Sequence, residues 1–211
     1  MESKITEELL DELREAIFQR MSPKRFAHTV AVEEMTMRLC ALFCPEHTIP
    51  MRAAALLHDI TKELSVSEHL ALCEKHALTV TGEDALAHKT LHARTATAII
   101  PSEFPRFADP LILNAVRWHT TGHRDMTLTE QILYFADYID VTRTFENCVL
   151  LRQKFWEPDP SSMTFEDRLR HFEALLLLSF GMTIKDLLTE GMPIASDTVD
   201  ARNQLLIRLQ S

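Results

Sequence analysis

Residues 51–62 read MRAAALLHDITK, an alanine- and leucine-rich run that ends on an adjacent histidine and aspartate, His58 and Asp59. Alanine and leucine lose little side-chain freedom in a helix, so the run is helical by propensity and apolar enough to be buried. A buried helix end has no inexpensive way to hold a carboxylate beside an imidazole, and a metal ion resolves that conflict. Taken alone, the dipeptide is explained as well by capping and surface exposure, so the remaining sequence has to decide.

Working outward, helical spacing continues on both sides. Ile5, Leu9, Leu10, Leu13 and Ile17 mark a helix over 4–20. Ser22 and Pro23 read as N-cap and first residue of a helix to about Phe43, which places His28 inside it. Pro50 opens the MRAAALLHDI segment, Ser67 caps a helix to about His76, and TVTGEDA at 79–85 is the clearest loop. ALAHKTLHARTATAII (85–100) is helical in period and is expected to stop at Pro101. DPLILNAVRWHTTGH (109–123) starts on Asp109 as cap and ends near Gly122. TLTEQILYFADYIDVTRTF (127–145), capped by Thr127 or Thr129, carries Asp137, EPDPSS (157–162) is a linker, and helices near 164–180 and 196–210 complete the count. Alternating strand patterns are absent beyond a few residues at 78–81. The expected fold is all-α, a compact globular multi-helix bundle forming one domain over 1–211, with a motif-bearing core at about 22–145 and the C-terminal helices packed on it.

Composition agrees. A chain of 211 residues with 46% hydrophobic content can bury a substantial core, and only four glycines are spread along it. The formal charge of −9 disfavours nonspecific binding to nucleic acid or anionic membrane, whereas a small phosphorylated ligand needs only locally concentrated cations. Cys40, Cys44, Cys73 and Cys148 lack paired metal-ligand spacing and read as core thiols. The acidic, amphipathic N-terminus has no basic leader, and the leucines at 175–178 are too few to span a bilayer, so a cytoplasmic setting is expected.

His28, His92, His119 and Asp137 sit in AHTVAV, TLHARTA, AVRWHTTG and YFADYID, where a polar residue amid apolar helical sequence faces either solvent or a shared polar site. Each alone is more often a satisfied core histidine or an exposed aspartate. Together with His58 and Asp59 they form the ordered pattern H…HD…H…H…D, which resembles the HD-domain superfamily. More closely, KRFAHTVAV, LLHDITK, LHARTA, RWHTTG, ADYID and the ending IASDTVDARNQLL resemble the bacterial YqeK-type family of symmetrical bis(5'-nucleosyl)-tetraphosphatases.

That resemblance implies hydrolysis of diadenosine tetraphosphate and related dinucleoside polyphosphates to two ADP at a binuclear metal centre, with iron as the first candidate and manganese or zinc as the others. It implies that His28, His58, Asp59 and Asp137 hold one metal while His92 and His119 hold a second, with Asp59 bridging. Two such ions would clamp a phosphoanhydride and activate a water for in-line attack. Asp59 and Lys62 are the catalytic candidates, Lys62 by compensating charge on the departing ADP. Arg25, Lys62, Thr120, Gly122 and Arg143 are the candidate substrate contacts, the glycine through its backbone amide. One departure is Val141-Thr142, which stands where the resembling family commonly has Pro-Gly after an acidic residue. Trp118 and Phe135 flank proposed ligands, and as helical aromatics they are expected in the core.

The ligand pattern does not by itself choose the substrate: nucleoside monophosphates, dNTPs and cyclic dinucleotides are the alternatives, and a nucleotide-sensing module without turnover is the reading from a different class. The expected partners are a small nucleotide, no nucleic acid and no membrane, with a homodimer as the default assembly.

Overall fold

The computed structural model describes residues 5–82, 84 and 87–210. Among them are ten α-helices and no strand: α1 Glu7–Phe18, α2 Pro23–Phe43, α3 Thr48–Leu57, α4 Val66–Lys75, α5 Leu91–Glu103, α6 Pro110–Trp118, α7 Leu128–Ile139, α8 Glu146–Trp156, α9 Phe165–Thr189 and α10 Ser196–Gln210. No helix among the described residues is long and apolar enough to cross a membrane.

The helix starts follow from capping chemistry. Ser22 accepts the Arg25 N–H with Pro23 as the next residue, Asp109 accepts the Leu111 N–H ahead of Pro110, and Thr127 forms a reciprocal capping box with Glu130. The cap of α4 is Ser65, not Ser67, because Glu68 at the third helical position answers Ser65 and completes a capping box there.

Helix α3 lies at the centre. Met51 and Ala53 to Leu57 are fully buried, and the three alanines let neighbouring helices approach it closely. It packs against α2 and α6, α7 closes against α2 and α6, and α5 lies along α6. This arrangement brings His28, His58, His92, His119 and Asp137, each from a different helix or helix end, to one place. Phe135, Phe155, Phe172 and Phe180 fill the other side of α7 and join α8 and α9 to the core.

Several boundaries differ from expectation. Helix α5 runs through Pro101 to Glu103, where the proline sits in the last turn and removes only one intrahelical bond. It begins at Leu91 after a 3-10 turn at His88–Thr90, and residues 83, 85 and 86 of the expected loop and helix start lie outside the described residues. The segment expected as one helix over 127–145 ends at Ile139, because the Asp140 carboxylate captures the Thr142 N–H at 2.8 Å and turns the chain. Helix α8, unanticipated, then follows and buries Cys148, Leu151 and Phe155, while α9 continues past Gly181 to Thr189.

Candidate metal centre

Three imidazoles share one construction. His58 Nδ1 donates to the Ala55 carbonyl at 2.6 Å, His92 Nδ1 to the Lys89 carbonyl at 2.8 Å and His119 Nδ1 to the Val116 carbonyl at 2.7 Å. A carbonyl only accepts, so each ring carries a proton on Nδ1 and turns Nε2 to the interior. His28 is oriented differently. Its Nδ1 lies 3.1 Å from the Thr142 hydroxyl and 3.3 Å from Asp140 Oδ2, both from the loop after α7.

The Nε2 atoms of all four rings converge on Asp59. Its Oδ2 is 3.4 Å from His58 Nε2 and 3.8 Å from His28 Nε2, and its Oδ1 is 3.3 Å from His92 Nε2 and 3.7 Å from His119 Nε2. Asp137 Oδ1 closes the first group at 3.0 Å from His28 Nε2 and 3.9 Å from His58 Nε2.

The donor set fits a cation on its own geometry. His28 Nε2, His58 Nε2 and Asp59 Oδ1 are buried and make no hydrogen bond, although oxygens and nitrogens stand close by. Buried polar atoms are rarely left so. His92 and His119 face each other Nε2 to Nε2 at 3.0 Å with both Nδ1 protons held by carbonyls, so the two Nε2 atoms can turn to one cation between them. His28, His58 and Asp137, and again His58, Asp59 and His119, place one donor atom each within 4.8 Å of one another, close enough to share a metal.

Electrostatics follow. Burial pushes the Asp59 carboxyl up, but the imidazoles of His58, His119 and His92 outweigh it and hold it well below the usual carboxylate range. Burial likewise opposes ionisation of Asp137, and Arg143, His28 and His58 overcome it. Burial, helped by Lys62, holds His92 well below its ordinary value, and burial also lowers His119, so both rings stay neutral donors. At His28 burial is outweighed by Asp137 and Asp140, which lift it to about 9, so this edge of the cluster attracts positive charge.

The candidate substrate contacts divide. Arg25 reaches Asp59 Oδ2 at 2.7 Å, and Lys62 Nζ lies 3.1 Å from His92 Nε2. The Thr120 hydroxyl stands 3.0 Å from the Nε2 atoms of both His92 and His119. Arg143 binds Asp137 through its carboxylate at 2.5 Å and its carbonyl at 2.9 Å. Gly122 does not present its amide to the cluster: that N–H closes the end of α6 on the Trp118 carbonyl at 2.9 Å, with φ at +64°. A Cβ there would meet the Phe180 ring at 2.8 Å, so packing and backbone conformation explain this glycine. Phe135 is fully buried, whereas Trp118 is half-buried outside the core and packs against the Arg117 guanidinium and the His123 ring. Asp140, fully buried and set against His28, was not singled out from the sequence; its spacing three residues beyond Asp137 was the available signal.

The HD domain family model matches residues 25–142, over half of the chain, and the chain belongs to that family. Three relatives share the name symmetrical bis(5'-nucleosyl)-tetraphosphatase. The Staphylococcus aureus protein is 30% identical over 128 residues, which are 60% of this chain and 63% of that protein. The Halalkalibacterium halodurans protein is 28% identical over 189 residues, 89% of this chain and 91% of its own. The Bacillus subtilis protein is 26% identical over 198 residues, covering 93% of this chain and 97% of its own. A crystal structure described as a predicted HD superfamily hydrolase involved in NAD metabolism, from Clostridium acetobutylicum, superposes with a TM-score of 0.81 at 28% identity, covering 94% of this chain and 97% of that one.

Proposed function

We propose that the chain is a metal-dependent hydrolase that cleaves diadenosine tetraphosphate and related dinucleoside polyphosphates symmetrically, releasing two ADP. The observation that carries the reading is the convergence of unpartnered imidazole and carboxylate donors on Asp59, with Arg25, Lys62 and Arg143 around them. Three relatives bear the name of this activity, two of them along nearly the whole chain.

His28, His58, Asp59 and Asp137 would hold one ion, and His92 and His119, with the other oxygen of Asp59, a second. Carboxylate and imidazole donors without a thiolate suit iron, with manganese or zinc as the other candidates. When bound, such ions supply Lewis acidity that polarises a phosphoryl group and acidifies a water. The chain's own residues do the rest. The i−3 carbonyls hold the Nδ1 proton of the three imidazoles and aim each Nε2 at the cluster. Arg25 and Arg143 hold the two aspartates while exposing cationic edges to polyphosphate, and Lys62 meets negative charge developing on the departing ADP. The Thr120 hydroxyl offers a donor beside the His92 and His119 pair. The assignment of a cytoplasmic setting belongs to the same reading.

The test is anaerobic purification with metal analysis, then chromatography of the products formed from diadenosine tetraphosphate. About two metals per chain with ADP as sole product is the expected result. AMP plus ATP, or no turnover at full metal occupancy, overturns it in favour of another nucleotide substrate or a sensing role.

A further inference from the structure

A cleft of about 520 Å³ opens beside Asp137 and Arg143 and runs away from the donor cluster between the start of α8 and the last turns of α9. Its volume lies within the range typical of small-molecule sites. The charge along it changes sign. Arg143 lines the end next to the cluster, where Arg25 and Lys62 stand on Asp59 and His92, whereas Glu146, Asp186 and Glu190 line the remainder, so a polyphosphate is attracted to the cluster end and repelled from the rest. What fits the rest is an uncharged group that donates hydrogen bonds and is tethered to phosphates. Phe145 stands on its rim, 71% exposed, a large aromatic face held at the N-cap of α8 without burial of its own. In the same lining Asn147 Nδ2 donates to Asp186 Oδ2 at 3.1 Å, which fixes a carboxylate and an amide carbonyl side by side as acceptors.

We infer that this cleft seats the nucleobase of the nucleotide whose phosphates lie over the cluster, with Phe145 as the stacking face and the Asn147–Asp186 pair accepting from the exocyclic amine of the base. The inference rests on the proposed function and extends it to the part of the substrate that the donor cluster does not contact. Base–aromatic stacking tolerates any base, and the acceptor pair then favours those carrying an amine.

The test is calorimetric titration of the metal-loaded protein with ADP, with inosine diphosphate, whose base lacks the amine, and with inorganic pyrophosphate, which lacks a base. The expected order is ADP tightest and pyrophosphate weakest. Phe145→Ala should weaken both nucleotides by about tenfold, with pyrophosphate binding held, and Phe145→Trp should restore them. Asp186→Ala should remove the preference for ADP over inosine diphosphate. ADP binding no tighter than pyrophosphate in the unmodified protein, or Phe145→Ala moving all three ligands alike or none, overturns the cleft. The product analysis above is independent: no ADP from the tetraphosphate would count against the activity, while ADP binding indifferent to Phe145 would count against the cleft alone.

Discussion

Two parts of the donor cluster are built on opposite principles. His58, His92 and His119 are each oriented by a carbonyl three residues earlier in their own segment, so the helix that delivers the ring also aims it. His28 comes from the middle of α2 and is aimed by Asp140 and Thr142, more than a hundred residues away in sequence. The first three depend on local backbone alone. The fourth depends on the packing of α2 against α7 and on a loop held by further contacts, among them Arg152 on the Asp140 carbonyl and Arg143 on Asp137. Damage to the loop should therefore loosen one side of the cluster and leave the other in place.

Asp59 touches both constructions, with Oδ2 near His28 and His58 and Oδ1 near His92 and His119, and its loss should have the largest effect. Asp59→Ala is expected to abolish turnover and reduce bound metal at both positions, read by elemental analysis and product chromatography. Near-normal turnover in this variant would remove the shared carboxylate from the mechanism. Lys62→Ala comes next. Lys62 contacts His92 on the self-anchored side yet is not needed to orient that ring, so metal content should be kept while kcat falls by about 10²- to 10³-fold, the scale of losing one donor to developing charge. A variant that loses metal instead would make Lys62 a support of the His92 side.

Asp140→Asn separates the two constructions directly. Supporting carboxylates behind a ligating histidine typically carry about ten- to a hundredfold in metal affinity, so one equivalent of metal should weaken by that amount while the other is held. Titration of metal into metal-free protein distinguishes this from uniform weakening, which would mean that the loop supports the entire cluster.

What could be read from the chain divides along the same line. The ordered histidines and aspartates were legible because each is a polar residue in a strongly apolar helical context, and the starts of α2, α6 and α7 were legible because caps are local chemistry. Residues 140–145 were not. Val141 and Thr142 leave the helical period intact on paper, and only the folded chain shows the Asp140 side chain taking the Thr142 N–H and ending α7. That turn is what lays Asp140 against His28, sets Phe145 at a cap instead of inside a helix, and frees the following residues to form α8. Gly122 is ambiguous in the sequence for a related reason: a glycine after a candidate ligand histidine suits an amide donor and a helix end equally, and the Phe180 ring that excludes a side chain there is distant in sequence.

The smallest expected effect concerns Thr142. Its hydroxyl donates to Asp140, so its oxygen is left to accept from His28 Nδ1 at 3.1 Å, and the ring is coupled to the carboxylate partly through this hydroxyl. Thr142→Val keeps the shape of the side chain and the backbone N–H bond to Asp140 Oδ1 at 2.8 Å, so the turn survives. His28 Nδ1 then has Asp140 Oδ2, already 3.3 Å away, as its remaining acceptor. The loss is the two hydrogen bonds of one hydroxyl, each with a substitute at hand in the Thr142 N–H on Asp140 Oδ1 and Asp140 Oδ2 beside His28, about two- to tenfold in affinity for the metal on the His28 side, and Thr142→Ser should recover most of it. If Thr142→Val proves as damaging as Asp140→Asn, the hydroxyl and not the carboxylate aims His28, and the distant anchor of this side of the cluster moves from the buried acid to the exposed loop.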